Sequence, residues 1–258
     1  MTLPRVGFIG AGRVTRILVD GWRRAGLRLP RITACDVDAV AAERIREIES
    51  SVEVVANGTV QSGCEVLFLA VHPPVVSTVL PPLAGKVDRD TLIVYLGSKI
   101  TMASLSRLLG GHTALARVIP NAPSIVGAGY NPIATMPGLS ARHHARLTAL
   151  FAPLGTLLEV DEPKLEAYVL LTGMGPTYFW FQMEELKRLA ISFGLSETEV
   201  APALRAMVNG TARVLLESGL PPDVTVDLVP VKPLGEEEPA IAAAYRSRLT
   251  ALFAKIKP

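Results

Sequence analysis

Gly10 and Gly12 stand where a short apolar run, Val6–Ile9, gives way to a stretch with helical spacing, in the order GAGRVT. Gly10 permits a tight turn out of a strand. Gly12 leaves the backbone bare, so that a helix N-terminus and its unpaired N–H groups can approach a diphosphate, with Arg13 and Val14 beside it. The third place of the fingerprint holds Thr15 instead of Gly or Ala, so slightly looser packing of helix on strand is expected there. Asp36 ends the next apolar run, at about the distance expected of an acid that accepts hydrogen bonds from both hydroxyls of an adenosine ribose. Its charge repels a 2′-phosphate, and the VDAVAAER that follows supplies no immediate Arg, Lys or Ser to hold one. The pattern therefore predicts a nicotinamide dinucleotide, NAD(P)H, with NADH favoured over NADPH. Arg13, and Arg44 from the next helix, are the cations that would work against this preference.

Two further stretches place polar groups on a constrained backbone. In Pro120, Asn121, Ala122 and Pro123 the prolines fix the chain and leave Asn121 to orient a nicotinamide or a substrate; a rigid connection explains the prolines alone. In TGMGP two glycines, Gly173 and Gly175, end one helix, and Pro176 suits the first turn of the next. Amides exposed at such a break can bind a carboxylate. A kink serving helix packing is the alternative.

These residues need a scaffold, and the pattern supplies one. From Arg5 to about Arg117 short β-rich runs alternate with helical segments, the signature of a parallel sheet with crossover helices. Strands are expected at 5–10, 31–36, 52–56, 65–71, 91–96 and 114–120. Helices are expected at 13–25, 37–48 and 101–109. Val126–Met136 reads as a further strand at the sheet edge, interrupted by Pro132. After Pro137 only helices are expected: 141–151, 162–171, 176–193, 196–217 and 239–255. The fold class is α/β: a Rossmann-type doubly wound parallel sheet over 1–155, then an all-helical domain over 156–258 for substrate binding and dimerisation.

Of the 258 residues, 49% are hydrophobic and 19% charged, and the formal charge of +2 is spread without a basic block, which argues for a globular protein that binds small molecules and not nucleic acid. Cys35 and Cys64 are too few for a disulfide framework and are not at metal-ligand spacing; reduced core residues, and no metal, are expected. No apolar run approaches the ~18 residues of a membrane span, and the N-terminus passes almost directly into a strand without a signal-peptide pattern. A cytoplasmic location is the expectation.

Four blocks in order, GFIGAG (Gly7–Gly12), FLAVHPP (Phe68–Pro74), RVIPNAPSIVGAG (Arg117–Gly129) and LTGMGPTY (Leu171–Tyr178), resemble pyrroline-5-carboxylate reductase. LESG, Leu216–Gly219, resembles the end of a helix in that family. The resemblance implies a helical C-terminal domain that forms an intertwined homodimer, and hydride transfer from a nicotinamide to a cyclic imine. It also implies that Asn57 contacts the adenosine side of the cofactor and that Ala70, Val71, His72 and Pro73 pass along it, together with Pro120 and Asn121. Thr172 and Asn121 become the candidate catalytic residues, and Met174, Gly175 and Pro176 the substrate-binding ones.

The chain departs from the family at several places. His72 replaces a lysine, Met174 replaces a serine, and Lys99 stands in YLGSKITM where an alanine-glycine turn is usual. The C-terminal loop reads DLVPVKPLGEEEPAI, Asp227–Ile241, without the family's hydroxyls. A site that loses donors loses discrimination for a polar substrate. Reduction of pyrroline-5-carboxylate to proline is the leading expectation. The alternatives are a larger or less polar imine or carbonyl substrate, and a dinucleotide-binding regulatory protein without turnover.

Overall fold

The computed structural model describes residues 2–258. The chain divides into two compact units, one of residues up to Met174 together with Leu252–Pro258, the other Gly175–Ala251.

The first unit is built on an eight-stranded sheet. Its strands are β1 (Val6–Ile9), β2 (Ile32–Cys35), β3 (Glu53–Val54), β4 (Val66–Leu69), β5 (Leu92–Tyr95), β6 (Leu115–Val118), β7 (Gly129–Thr135) and β8 (Gly155–Glu159), in the spatial order β3-β2-β1-β4-β5-β6-β7-β8. Every neighbouring pair is parallel except β6–β7. Strands β1, β2, β4, β5 and β6 are buried at every position, as strands covered on both faces must be. Register aligns Ile9 with Cys35 and Leu69, Leu69 with Tyr95, and Tyr95 with Arg117. The loops that leave these five residues therefore emerge from one edge of the sheet.

Helices α1 (Arg13–Arg24), α2 (Ala39–Ile48), α3 (Pro73–Val79), α4 (Met102–Leu108), α5 (Ala141–Phe151) and α6 (Leu165–Tyr168) complete the unit. On one face Phe8 stacks on Phe68, with centroids 4.7 Å apart, among Trp22 and Phe151. Trp22 donates its indole N–H to the Leu150 carbonyl at 2.6 Å, which satisfies the one polar atom of that aromatic core. Cys35 and Cys64 are buried and unbridged, and desolvation pushes both thiols up to about 11.

Two expectations about the elements are corrected. Strands do return after Pro137: β8 pairs in parallel with β7 and forms the sheet edge, so β7 is an interior strand. GTLLE is too short to reveal its period, and only its pairing partner makes it a strand. Pro132 is tolerated inside β7 because its carbonyl still accepts from Ile119 N at 3.0 Å. The segment expected as one helix from Glu162 is a 3-10 turn (Glu162–Lys164), then α6, then a π turn (Val169–Gly173). β8 and the buried Leu165 and Glu166 pack with the sheet, and the first compact unit runs to Met174. Helix α3 is an addition, opened by Pro73 and Pro74 at its first turn.

The second unit contains α7 (Pro176–Ser192), α8 (Glu197–Glu217), α9 (Pro222–Asp227) and most of α10 (Glu238–Ile256). Ser196 and Glu199 form a capping box at the start of α8. Among its described residues Val200 is the one buried side chain, while Phe181, Phe193 and Leu216 are 68%, 79% and 79% exposed. No helix among the described residues is long and apolar enough to cross a membrane.

Candidate active site

Gly10 and Gly12 differ in what they permit. Gly10 has φ +99°, and a Cβ there would lie 2.5 Å from the Ala70 carbonyl oxygen, so the turn out of β1 needs glycine for both conformation and space. Gly12 is the N-cap of α1 with φ −70°, and a Cβ there would meet nothing within 4 Å. Ordinary packing does not require glycine at 12. The open space lies at the N-terminus of a twelve-residue helix with no acid in its first turn, next to the exposed Arg13 and the half-buried Val14, which fits an incoming diphosphate. Thr15 is fully buried and donates its hydroxyl to the Gly10 carbonyl at 2.6 Å. Expected as a looser fit, it instead ties the helix to the turn.

Beyond this turn lies a cavity of ≈ 340 Å³ lined by Gly10, Asp36, Asn57 and Val71, among others. Four positions expected to hold the cofactor, far apart in sequence, thus face one space. Asp36 accepts from Ala11 N at 2.7 Å and from Asp38 N at 2.9 Å, one bond to each oxygen. A carboxylate oxygen has a second lone pair, so both can still accept a ribose hydroxyl. Val37 is 92% exposed at the cavity mouth. A further part of the wall comes from Val75, Val79, Pro82, Leu83 and Lys86, on and after α3, which sequence reasoning missed. Two valines at i and i+4 just after FLAVHPP are the signal that was available.

Ala70 backs directly on Gly10. His72 is exposed at the N-cap of α3 and makes no side-chain cap; Pro73 follows as the first helical residue. Both lie on the loop that leaves β4 at the common edge.

On the neighbouring loop after β6, Pro120 leads into Asn121, which is 6% exposed. The Asn121 amide donates to the Thr172 carbonyl at 3.1 Å, and its oxygen accepts from Tyr130 N at 3.2 Å. Asn121 thus joins β6, β7 and the π turn, and both ends of its side chain are engaged with backbone. Thr172 donates its hydroxyl to the Tyr168 carbonyl at 3.0 Å. Such π turns recur at functional sites because they re-aim a carbonyl or side chain. Met174 closes this turn, with its N–H on the Val169 carbonyl at 2.8 Å; Gly175 and Pro176 open the second unit as N-cap and first residue of α7. These last three do not line the dinucleotide cavity.

A buried ionic cluster holds this edge together, and it too was missed. Arg117 is 0% exposed, donating to Glu162 at 2.9 Å, to Glu166 at 2.6 Å and to the Gly97 carbonyl at 3.2 Å. Glu162 also accepts from Met102 N at 2.7 Å, at the start of α4. One guanidinium therefore fixes the loop after β5, the strand β6 and the helix that carries the π turn. An arginine inside an apolar run such as ALARVIP demands a buried partner, which is the sequence signal that was available. Tyr95, alongside, donates to the Ser98 carbonyl at 2.9 Å, and desolvation pushes its phenol up to about 12. Between these two anchors Lys99 has φ 72°, the one non-glycine residue with positive φ among those described.

No group of three or more His, Cys, Asp or Glu side chains among the described residues is placed to hold a metal ion.

Two family models match the chain: "NADP oxidoreductase coenzyme F420-dependent" over residues 5–96, and "Pyrroline-5-carboxylate reductase dimerisation" over residues 162–256. Pyrroline-5-carboxylate reductase of Pseudomonas aeruginosa is 29% identical over 224 residues, 86% of this chain and 82% of the relative. A solved pyrroline-5-carboxylate reductase from Coxiella burnetii aligns with a TM-score of 0.69 at 25% identity, covering 99% of this chain and 95% of the other. The NADP-bound pyrroline carboxylate reductase of Plasmodium falciparum aligns with a TM-score of 0.75 over 99% of this chain and 95% of the other; at 17% identity it speaks for the fold alone. With the dimerisation model over its C-terminal part and relatives of one name across most of its length, the chain is similar to pyrroline-5-carboxylate reductases from its first strand to its last helix.

Proposed function

We propose that the protein is an NAD(P)H-dependent reductase of a C=N bond, and that pyrroline-5-carboxylate, reduced to proline, is its substrate. The observation that carries this reading is the single cavity walled by Gly10, Asp36, Asn57 and Val71 beyond the bare N-terminus of α1. A nicotinamide cofactor supplies the hydride when bound. The protein's work is alignment, exclusion of water and delivery of a proton. Gly10, Gly12, Arg13 and Val14 hold the diphosphate, Asp36 and Asn57 the adenosine end, and Ala70 to Pro73 with Pro120 and Asn121 the nicotinamide end. Asn121 positions the π turn, and Thr172, Met174, Gly175 and Pro176 receive the imino acid. Asp36, with Val37 beside it, favours NADH over NADPH by repelling a 2′-phosphate.

The helical unit functions as a homodimerisation domain. Its exposed apolar side chains on α7 and α8 support this, because a single copy leaves them in water. Size-exclusion chromatography with light scattering at micromolar concentration tests it, and a monomer refutes it.

A larger or less polar imine is the second reading. It is favoured by a cavity of ≈ 570 Å³ within the helical unit, lined by Tyr178, Phe181, Leu234, Ile241, Tyr245 and Leu249 among others, with Leu234 drawn from the loop that departs from the family. Steady-state oxidation of NADH and NADPH with a panel of imines separates the readings. Pyrroline-5-carboxylate turning over best supports the first, bulky imines alone select the second, and cofactor binding without turnover leaves a dinucleotide-binding regulator.

A further inference from the structure

Reduction of an imine needs a proton at nitrogen, and the hydroxyls and amide beside the π turn are almost all committed. Thr172 donates to the Tyr168 carbonyl at 3.0 Å, Ser124 donates to Asn131 at 3.0 Å and Tyr95 donates to the Ser98 carbonyl at 2.9 Å. The Asn121 side chain is engaged at both ends. The loop at 228–238 contains no serine, threonine or tyrosine.

Two phenols remain. Tyr130 is the second residue of β7, its N–H held by Asn121, and Tyr168 precedes the π turn, its carbonyl held by Thr172. Their rings stack with centroids 6.0 Å apart at 29°. Tyr130 is 36% exposed, whereas Tyr95 is fully buried. The Tyr130 and Tyr168 phenols are hydrogen-bonded to each other, and in the hydrogen bonds described neither hydroxyl donates to a backbone carbonyl. The two residues proposed for catalysis are thus each hydrogen-bonded to the backbone of one member of this pair.

We propose that Tyr130 is the proton donor to the imine nitrogen, with Tyr168 stacked against it as the residue that fixes its ring. The inference rests on the imine-reductase reading. As the C=N carbon accepts hydride and its electron pair, the π pair of the C=N bond moves onto nitrogen and takes the phenolic proton. The imine is reduced, NAD(P)H is oxidised, and the Tyr130 phenolate regains its proton from water. Desolvation, with the neighbouring Tyr168 phenol, holds the Tyr130 phenol above its ordinary value, so it stays protonated at neutral pH.

Tyr130→Phe keeps the ring and its stack and removes the hydroxyl, with its hydrogen bond to Tyr168. Its expected effect is a fall in kcat of about 100-fold or more, with unchanged NADH affinity by fluorescence titration and an unchanged thermal midpoint. A solvent deuterium isotope effect on kcat in the unsubstituted enzyme completes the expected result. A Tyr130→Phe enzyme with kcat within threefold overturns the assignment, as does Tyr168→Phe carrying the whole loss while Tyr130→Phe carries none. An unsubstituted protein that binds NADH but reduces no imine refutes the underlying reading instead, which separates the two failures.

Discussion

Replacing either glycine of the first turn by alanine should give opposite phenotypes. At Gly12, φ −70° and ψ −163° lie within the range open to any L-residue, and the new methyl meets nothing within 4 Å. Restricting the unfolded chain then stabilises the cofactor-free protein by about 0.4–1 kcal/mol. For a protein of this size that is a rise of roughly 1–4 °C in thermal midpoint. The same methyl occupies the space through which a diphosphate reaches the helix amides, an overlap costing about 1–3 kcal/mol. NADH affinity should fall about 5–150-fold. At Gly10 the left-handed backbone costs an alanine about 1–2 kcal/mol. Its Cβ also stands 2.5 Å from the Ala70 oxygen, and that overlap adds about 1–3 kcal/mol. After the unfolded-chain gain of about 0.4–1 kcal/mol, Gly10→Ala loses about 1–4.6 kcal/mol and roughly 2–18 °C. Thermal unfolding followed by circular dichroism without cofactor, with NADH fluorescence titration of each variant, measures both quantities. Gly12→Ala binding NADH like the unsubstituted protein would refute the argument, and so would Gly12→Ala melting earlier than Gly10→Ala.

Asp36→Ser removes the charge that we propose faces the ribose and should raise the NADPH-to-NADH affinity ratio at least tenfold, measured by parallel fluorescence titrations; an unchanged ratio removes Asp36 from the ribose. Glu166→Ala leaves a fully buried guanidinium short of one partner and should cost about 3–5 kcal/mol in urea unfolding, whereas a loss below about 1 kcal/mol would show the cluster to be dispensable. Burial holds the His112 imidazole below its ordinary value of 6.5, outweighing the hydrogen bonds to Thr91 and Ala114. The unfolded chain protonates first as pH falls past 6.5, so this contribution is intact above 6.5 and is lost as pH drops through the folded value; His112→Asn should flatten the stability profile in that window, and an unaltered slope contradicts it.

The parts of the molecule written in local pattern were readable from the sequence. The β1 turn into α1 shows there because glycine spacing, apolar run and helical period coincide within twenty residues. Asp36, Asn57 and Val71 were assigned one at a time, and only the cavity brings them together. What escaped depends on partners distant in the chain. β8 becomes a strand through β7, and Arg117 is buried only because Glu162 and Glu166 lie against it. The π turn replaced a simple helix because no residue type marks an extra residue per turn. Asn121 was read as a group free to orient a ligand; the carbonyl of Thr172 and the N–H of Tyr130 make it a brace.

Transfer of deuterium from NADH labelled at C4, in each of its two stereochemical forms, to pyrroline-5-carboxylate tests the central claim most directly. Mass spectrometry of the product should show proline carrying one deuterium on the former C=N carbon, from one of the two labelled forms and not the other. Unlabelled proline, or no proline from an enzyme that demonstrably binds NADH, would contradict it.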